Sequence, residues 1–309
     1  MAGTGVLIEP EAAHPTLAGG AAGVAVVIPA FNEEKAIGGV LDGLRDALAR
    51  SGRPFEIIVV DDGSSDRTAE VARGRGVTVV AHGVNRGYGA SLKSGIRASR
   101  APYVMIIDAD GTYPSDAVLK LLAAAEQHDM VVGARTGSRV HIPLIRRPAK
   151  WLLTRLAIYL SETNIPDLNS GLRVFRRDHA LRYFPILPSG FSFTTSITLA
   201  MLCNDGRVAY IPIDYEKRTG SSKIRPIHDT LNFFMLILRT ILYFNPLKVF
   251  IPPSLLILAA CGVSLGWDVF ARQDLTEKTL ILLFAGVQLL ALGLLADMIS
   301  KSGRGVSTD

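Results

Sequence analysis

Short, continuous, β-branched apolar runs that stop abruptly at charged or turn residues constrain this chain more than any other feature. They are VAVVIP (24–29), FEIIVVDD (55–62), VTVVA (77–81), YVMIID (103–108) and MVVGAR (130–135). Each is too short for a core helix and lacks the alternation of a half-exposed strand, so each reads as a strand buried on both faces. Stretches of helical length separate them. Asn32 can cap a helix running to about Arg50, and Asp66 in GSSDRT can cap another. NRGYGASLKSGIRAS (85–99) is a glycine-rich entry into a third, and a fourth runs from Ser115 to about His128. Strands alternating with helices imply an α/β fold with a mainly parallel, Rossmann-like sheet covered on both faces. Right-handed crossovers bring all the strand C-termini to one edge, where open parallel sheets bind ligands. Asn32, Asp61, Asp62, Asp108, Asp110 and Arg135 lie just past those ends.

The stretch IIDADGTYPSD (106–116) places Asp108 and Asp110 one residue apart where a buried strand surfaces. Helix capping explains Asp66 or Asp116. It explains Asp108 and Asp110 poorly, because Pro114 and Ser115 still precede the next helix. Two such carboxylates stay ionised only beside a cation. An oxygen-only site with few protein ligands suits Mg2+ or Mn2+, with the oxygens of a diphosphate completing the shell.

Hydrophobicity is unevenly spread. Val249 to Trp267 and Thr279 to Ala296 contain no charged residue. Each is long enough, as a helix, to cross a hydrocarbon core of roughly 30 Å. Pro252 and Pro253 sit near the start of the first span, where a helix best tolerates them. The link from Asp268 to Lys278 is short, and Lys248, Lys301 and Arg304 flank the pair. This pattern predicts a transmembrane hairpin over 247–300 with both outer ends in the cytoplasm. The chain is thus expected to be an integral protein of the cytoplasmic membrane, with its catalytic domain (23–226) and a short tail (301–309) on the cytoplasmic side. RRPAKWLLTRLAIYL (146–160) and LNFFMLILRTILYF (231–244) read either as interfacial helices, the second within an amphipathic segment 227–246, or as ordinary core helices.

The net charge is +5, with basic residues gathered between Arg135 and Arg239. No nucleic-acid-binding motif accompanies them, which favours an anionic lipid bilayer over nucleic acid as the partner. The two cysteines are far apart and outside any CxxC pair, and the six histidines are scattered, which argues against a disulfide framework or a zinc site. Residues 1–22 carry Glu9 and Glu11 with no basic start, so they read as a disordered tail and not as a signal peptide.

VVIPAFNEE (26–34), EIIVVDDGSSDRT (56–68), NRGYGASLKSGI (85–96) and IIDADGTYP (106–114) together resemble glycosyltransferase family 2 in the GT-A fold. The later DLNSGLRVF (167–175) and KRTGSSKI (217–224), followed by the apolar hairpin, resemble its polyprenyl-phosphate branch. The resemblance covers residues 24 to about 300. It implies transfer of a sugar from a nucleotide-diphosphate donor to a polyprenyl phosphate. Pro29, Phe31, Glu33 and Asp61 or Asp62 would hold the base and ribose. Asp108 and Ala109 would contact the donor, and Asp110 would ligate the metal, with Asp108 beside it. Thr112 stands where many members have a glutamine that contacts metal or donor. Arg135 would face the acceptor phosphate, and Arg218 and Lys223 would belong to a mobile basic loop.

The residues agree with that implication. A lipid phosphate needs fixed cations, for which Arg135, Arg147, Lys150, Arg218 and Lys223 are candidates. A phosphomonoester with a second pKa near 6 is already an anionic nucleophile and needs no strong base. Asp167 is therefore expected to orient the acceptor or a basic residue, or to cap the next turn. A processive polysaccharide synthase would need more spans and a QxxRW motif. A sugar-phosphate nucleotidyltransferase would open on a glycine-rich basic signature in place of PAFNEE. A membrane-anchored nucleotide-sugar-binding protein without activity, or a family 2 enzyme using another lipid or glycan acceptor, stays open, as does a homo-oligomer.

Overall fold

The computed structural model describes residues 6–7, 23–136, 154–155, 157–159, 161–190, 192–215, 235, 238, 242–243 and 245–302. Arg147, Lys150, Arg218 and Lys223 lie outside the described residues, as does most of the two segments expected to be interfacial. The chain divides into two compact units, Met1–Leu236 and Ile237–Asp309.

The first unit is built on an eight-stranded sheet. Its strands are β1 (Val6–Leu7), β2 (Val24–Ala30), β3 (Phe55–Asp61), β4 (Thr78–Ala81), β5 (Tyr103–Ile106), β6 (Met130–Ala134), β7 (Arg173–Arg176) and β8 (Val208–Pro212). The spatial order is β1-β8-β6-β7-β5-β2-β3-β4. Every pairing is parallel except those of β7, which runs antiparallel between β5 and β6. The five apolar runs thus form strands of one direction, with β2 central between β3 and β5. Val6–Leu7, within the stretch expected to be an unstructured tail, pair with Ala209 and Tyr210 of β8.

Helices α1 (Ile37–Arg50), α2 (Thr68–Arg73), α3 (Tyr88–Ala98) and α4 (Ser115–Ala124) connect the parallel strands. Helix α1 buries Ile37, Leu41, Leu44 and Leu48, a stripe of helical spacing. With Val118, Leu121 and Leu122 of α4, this stripe covers Val24, Val26, Ile28, Ile57 and Val59, which alternate along β2 and β3. Helix α3 packs on β2 and β3 and approaches Val27 and Val60, the residues of opposite alternation. Both faces of the sheet are therefore dry along β2, β5, β6 and most of β3, which is why these runs carry no polar alternation, whereas the edge strand β4, expected to be buried on both faces, is partly exposed along its length. Helices α5 (Arg177–Tyr183) and α6 (Phe193–Leu202) precede β8.

The second unit holds two long helices, α7 (Leu247–Trp267) and α8 (Glu277–Ser302). Both are long and apolar enough to cross a membrane, over Leu247–Arg272 and Glu277–Lys301. Two expectations need correcting. Helix α7 begins at Leu247, so Pro252 and Pro253 fall beyond its first turn and remove the amides that would bond Lys248 and Val249. The helical path also continues through a π turn, Asp268–Arg272, so the link is shorter than Asp268 to Lys278. It ends at Gln273 in the left-handed conformation (φ 56°).

Candidate functional site

The loops after β2, β3 and β5 converge at the C-terminal edge of the sheet. The first two are stitched together. The amide of Asn32 donates to Ser64 Oγ at 2.9 Å, that of Glu33 to Thr68 Oγ1 at 2.8 Å, and that of Glu34 to Asp66 Oδ2 at 3.2 Å. Asn32 does not cap α1, which starts five residues later without a side-chain cap. It adopts φ 57°, and its Oδ1 accepts the Ser65 amide at 2.8 Å. Asp66 secures the start of α2 by accepting from the Thr68 amide at 3.0 Å.

A cavity of about 520 Å³ opens at this edge, lined by residues that include Asn32, Glu33, Lys35, Asp66, Asp108, Asp110 and Tyr113. Of the residues expected in the site, the structure brings Glu33, Asp108 and Asp110 to its wall. Pro29, Phe31, Asp61, Asp62, Ala109, Thr112, Arg135 and Asp167 do not line it. Ala109, expected to contact the donor, has its side chain buried in the core.

Strand β5 ends at Ile106, leaving Asp108 and Asp110 on the loop beyond. Asp108 Oδ1 accepts from the Tyr88 hydroxyl at 2.9 Å. A β-carbon on Gly171 would collide with the Asp108 carboxylate, so glycine is required for this close approach. Asp110 Oδ1 accepts from the Thr112 amide at 3.2 Å and hydroxyl at 2.7 Å. Thr112 is buried, and its hydroxyl is directed to a carboxylate and not to the cavity. Its amide and hydroxyl both bond Asp110. Among the described residues no cluster of three or more His, Cys, Asp or Glu could hold a metal. The adjacent strand-end pair Asp108 and Asp110 offers two carboxylates at the cavity wall. Hard oxygens in that number fit Mg2+ or Mn2+, which retain waters or phosphate oxygens around few protein ligands.

The adjacent aspartates of β3 diverge. Asp61 Oδ1 accepts the Ser64 amide at 3.3 Å. Asp62 is buried and takes His82 Nδ1 at 2.7 Å, the Arg86 amide at 2.9 Å and the Gly87 amide at 2.8 Å. Burial alone would raise the Asp62 carboxyl, but the bonds from His82, Arg86 and Gly87 outweigh it and hold it below the ordinary value.

Past β6, Arg135 forms a bidentate pair with Asp167, Nε at 2.7 Å and Nη2 at 3.0 Å. Burial would lower the Arg135 guanidinium, and the Asp167 charge more than compensates, raising it well above its usual value. Its guanidinium carbon lies 5.2 Å from the Tyr215 ring centre, and Tyr215 meets Tyr113 edge-on at 5.3 Å. The Tyr113 hydroxyl accepts the Gly171 amide at 2.6 Å. Tyr88, His82, Tyr113 and Gly171 escaped sequence reasoning. The motifs NRGYG, DGTYP and NSGLR contain three of them, but pattern alone does not say that these side chains meet.

Family models match two segments of the chain: glycosyl transferase family 2 over residues 25–184, and the GtrB C-terminal hairpin over residues 245–302. A dolichyl-phosphate hexose transferase of Haloferax volcanii is 33% identical over 66% of this chain and 87% of its own. An undecaprenyl-phosphate 4-deoxy-4-formamido-L-arabinose transferase of Pseudomonas aeruginosa is 31% identical over 90% of this chain and 85% of its own. Among solved structures, glucosyl-3-phosphoglycerate synthase of Mycobacterium tuberculosis superposes with a TM-score of 0.56. It shows 22% identity and covers 71% of this chain and 78% of its own, a likeness of fold. With its GT-A-like sheet, its strand-end carboxylates and its apolar hairpin, the chain belongs to glycosyl transferase family 2.

Proposed function

We propose that the protein transfers a sugar from a UDP- or GDP-linked donor to the phosphate of a membrane polyprenol, with inversion at the anomeric carbon. The observation that carries this reading is the pair Asp108 and Asp110 at the wall of a 520 Å³ cavity, in a chain that also bears two membrane-length helices. The printed names of the two relatives, a dolichyl-phosphate and an undecaprenyl-phosphate sugar transferase, support a polyprenyl-phosphate acceptor. Structures of glucosyl-3-phosphoglycerate synthase with UDP and Mn2+ or Mg2+ support a divalent ion.

Asp108 and Asp110 would hold that ion. Bound there, it supplies Lewis-acid neutralisation of the departing diphosphate. Glu33, with Pro29, Phe31 and Asp61, would hold the nucleoside, because Asp62 already spends its carboxylate on His82 and two amides. Arg135 would steer the acceptor phosphate, held in place by Asp167, which acts as an orienting partner and not as a base. Arg147, Lys150, Arg218 and Lys223 are proposed to add positive charge for diphosphate and acceptor. The acceptor phosphate brings its own negative oxygen to the anomeric carbon. The site therefore works by positioning and electrostatics without proton abstraction. The hairpin would tether the enzyme to the cytoplasmic membrane, with the catalytic domain on the cytoplasmic face.

The test is a panel of UDP- and GDP-sugars with one polyprenyl phosphate and Mg2+ or Mn2+, read by mass spectrometry of the lipid product. A sugar–phosphate–polyprenol mass with one donor is expected. Transfer only to a non-phosphorylated acceptor would overturn the assignment.

A further inference from the structure

We propose that Tyr88 is a positioning residue that aims Asp108 at the divalent cation. The inference rests on the reading that Asp108 helps to hold that ion. The Tyr88 hydroxyl donates to Asp108 Oδ1 at 2.9 Å. Asp110 has an equivalent support in the Thr112 hydroxyl at 2.7 Å, so each carboxylate of the pair carries its own hydroxyl donor. Such outer donors fix the rotamer of a ligating group and tune its affinity.

The phenol reaches Asp108 from the first residue of α3, whose entry is anchored on both sides. The amides of Arg86 and Gly87 donate to Asp62, at 2.9 and 2.8 Å. Asp62 is in turn held by His82 Nδ1 at 2.7 Å, and His82 Nε2 lies 2.9 Å from Ser94 Oγ on α3. On the other side the Ala90 amide donates to the Ser189 carbonyl at 2.9 Å. Gly87 has φ 96°, and a β-carbon there would stand 2.8 Å from that same carbonyl oxygen. The backbone that carries Tyr88 is thereby fixed before any ligand binds. Across the carboxylate, Gly171 closes the remaining side, itself held by Tyr113 at 2.6 Å. Asp108 is thus held between a hydroxyl and a glycine that lie far apart in the sequence.

The experiment titrates MnCl2 into the detergent-solubilised full-length protein with UDP or, separately, GDP, and reads bound Mn2+ by electron paramagnetic resonance. Tyr88→Phe is expected to weaken Mn2+ binding about tenfold. In the transfer assay its half-saturating Mn2+ should rise similarly, while turnover recovers substantially as Mn2+ is raised. Gly171→Ala, which displaces the same carboxylate without touching the phenol, should shift Mn2+ binding in the same direction. Wild-type Mn2+ affinity in Tyr88→Phe, whether or not its melting temperature falls, would overturn the proposal. Asp108→Asn separates the two readings. If it loses Mn2+ while Tyr88→Phe does not, only this inference fails. If it also binds as wild type, the metal assignment fails with it.

Discussion

Asp167 accepts three hydrogen bonds from one residue: the Arg135 amide at 3.0 Å, Nε at 2.7 Å and Nη2 at 3.0 Å. The carboxylate is fully buried, whereas the Arg135 side chain is 20% exposed. The pair therefore presents a cation whose direction is set from beneath.

Removing Asp167 should destabilise the first unit. Asp167→Ala strands a largely buried guanidinium, an error worth about 3 kcal/mol in buried pairs. Asp167→Asn retains the shape and loses the charge. Thermal melts of the purified protein should rank wild type, Asp167→Asn and Asp167→Ala in falling order. Arg135→Lys keeps the charge without the two-point grip, and should lower transfer more than it lowers stability. Equal melting of all three Asp167 forms would remove the structural claim.

Asp110 and the hydroxyl that supports it should differ in a transfer assay. Asp110→Ala should abolish transfer and leave the melt near wild type, because the residue sits on a loop beyond β5. Chelation by EDTA should reproduce that loss, and added Mg2+ or Mn2+ should reverse it in the wild type alone. Thr112→Val removes the hydroxyl that supports Asp110 and costs about 1 kcal/mol of stability. It should raise the half-saturating metal without abolishing turnover. A wild-type metal dependence in Thr112→Val would show that its bond to Asp110 is incidental.

The strand-and-helix alternation up to Ala134 was legible because both sheet faces are dry, so each strand is a plain apolar run. Strand β7 was not. RVFR is short, begins at a fully buried arginine, and runs antiparallel to both neighbours. Arg173 survives there because the carbonyls of Ser170 and Thr194 and the hydroxyl of Thr198 receive its guanidinium. No local pattern announces those partners, which lie up to twenty-five residues away. Asn32 misled for a related reason. A cap and a left-handed turn residue favour the same amino acid, and only the contact with Ser65, thirty-three residues on, distinguishes them. The strand-end carboxylates were readable as a set, but their supporting hydroxyls and glycine were not.

Acid should unfold the first unit partly through Asp62. Its carboxyl is held below the ordinary 3.8 in the folded protein. A depressed carboxyl contributes stability that is fully present above its unfolded pKa and is lost as pH falls through the folded value. The expected loss therefore lies below about pH 4. Asp66 is shifted in the same direction, burial opposing and the bonds from Thr68 and Glu34 prevailing, and it should add to the same limb. Asp62→Asn should lower the melting temperature at pH 7 and flatten its decline below about pH 4. A parallel decline in mutant and wild type would show that Asp62 does not contribute to it.

The hairpin carries its own polar lock. Asp268 Oδ2 accepts from the Thr276 amide at 3.0 Å and from the hydroxyls of Thr276 and Thr279, each at 2.6 Å. Thr279 Oγ1 also lies 2.7 Å from Ser264 Oγ on the facing helix, and the Cys261 thiol lies 3.5 Å from the Thr279 carbonyl. These bonds join the end of α7 to the start of α8. Leucine-on-leucine contact holds two helices together in lipid without fixing their register, because lipid tails are equally apolar; directed bonds supply the register. Asp268→Ala leaves two hydroxyls and an amide without their acceptor, whereas Asp268→Asn retains one acceptor oxygen. In nanodiscs, Asp268→Ala should melt below wild type, with Asp268→Asn between them. Cysteines placed across the hairpin, one beside Ser264 and one beside Thr279, should cross-link less selectively in the alanine variant. Unchanged melting together with unchanged cross-linking would mean that apolar packing alone sets the register of α7 on α8.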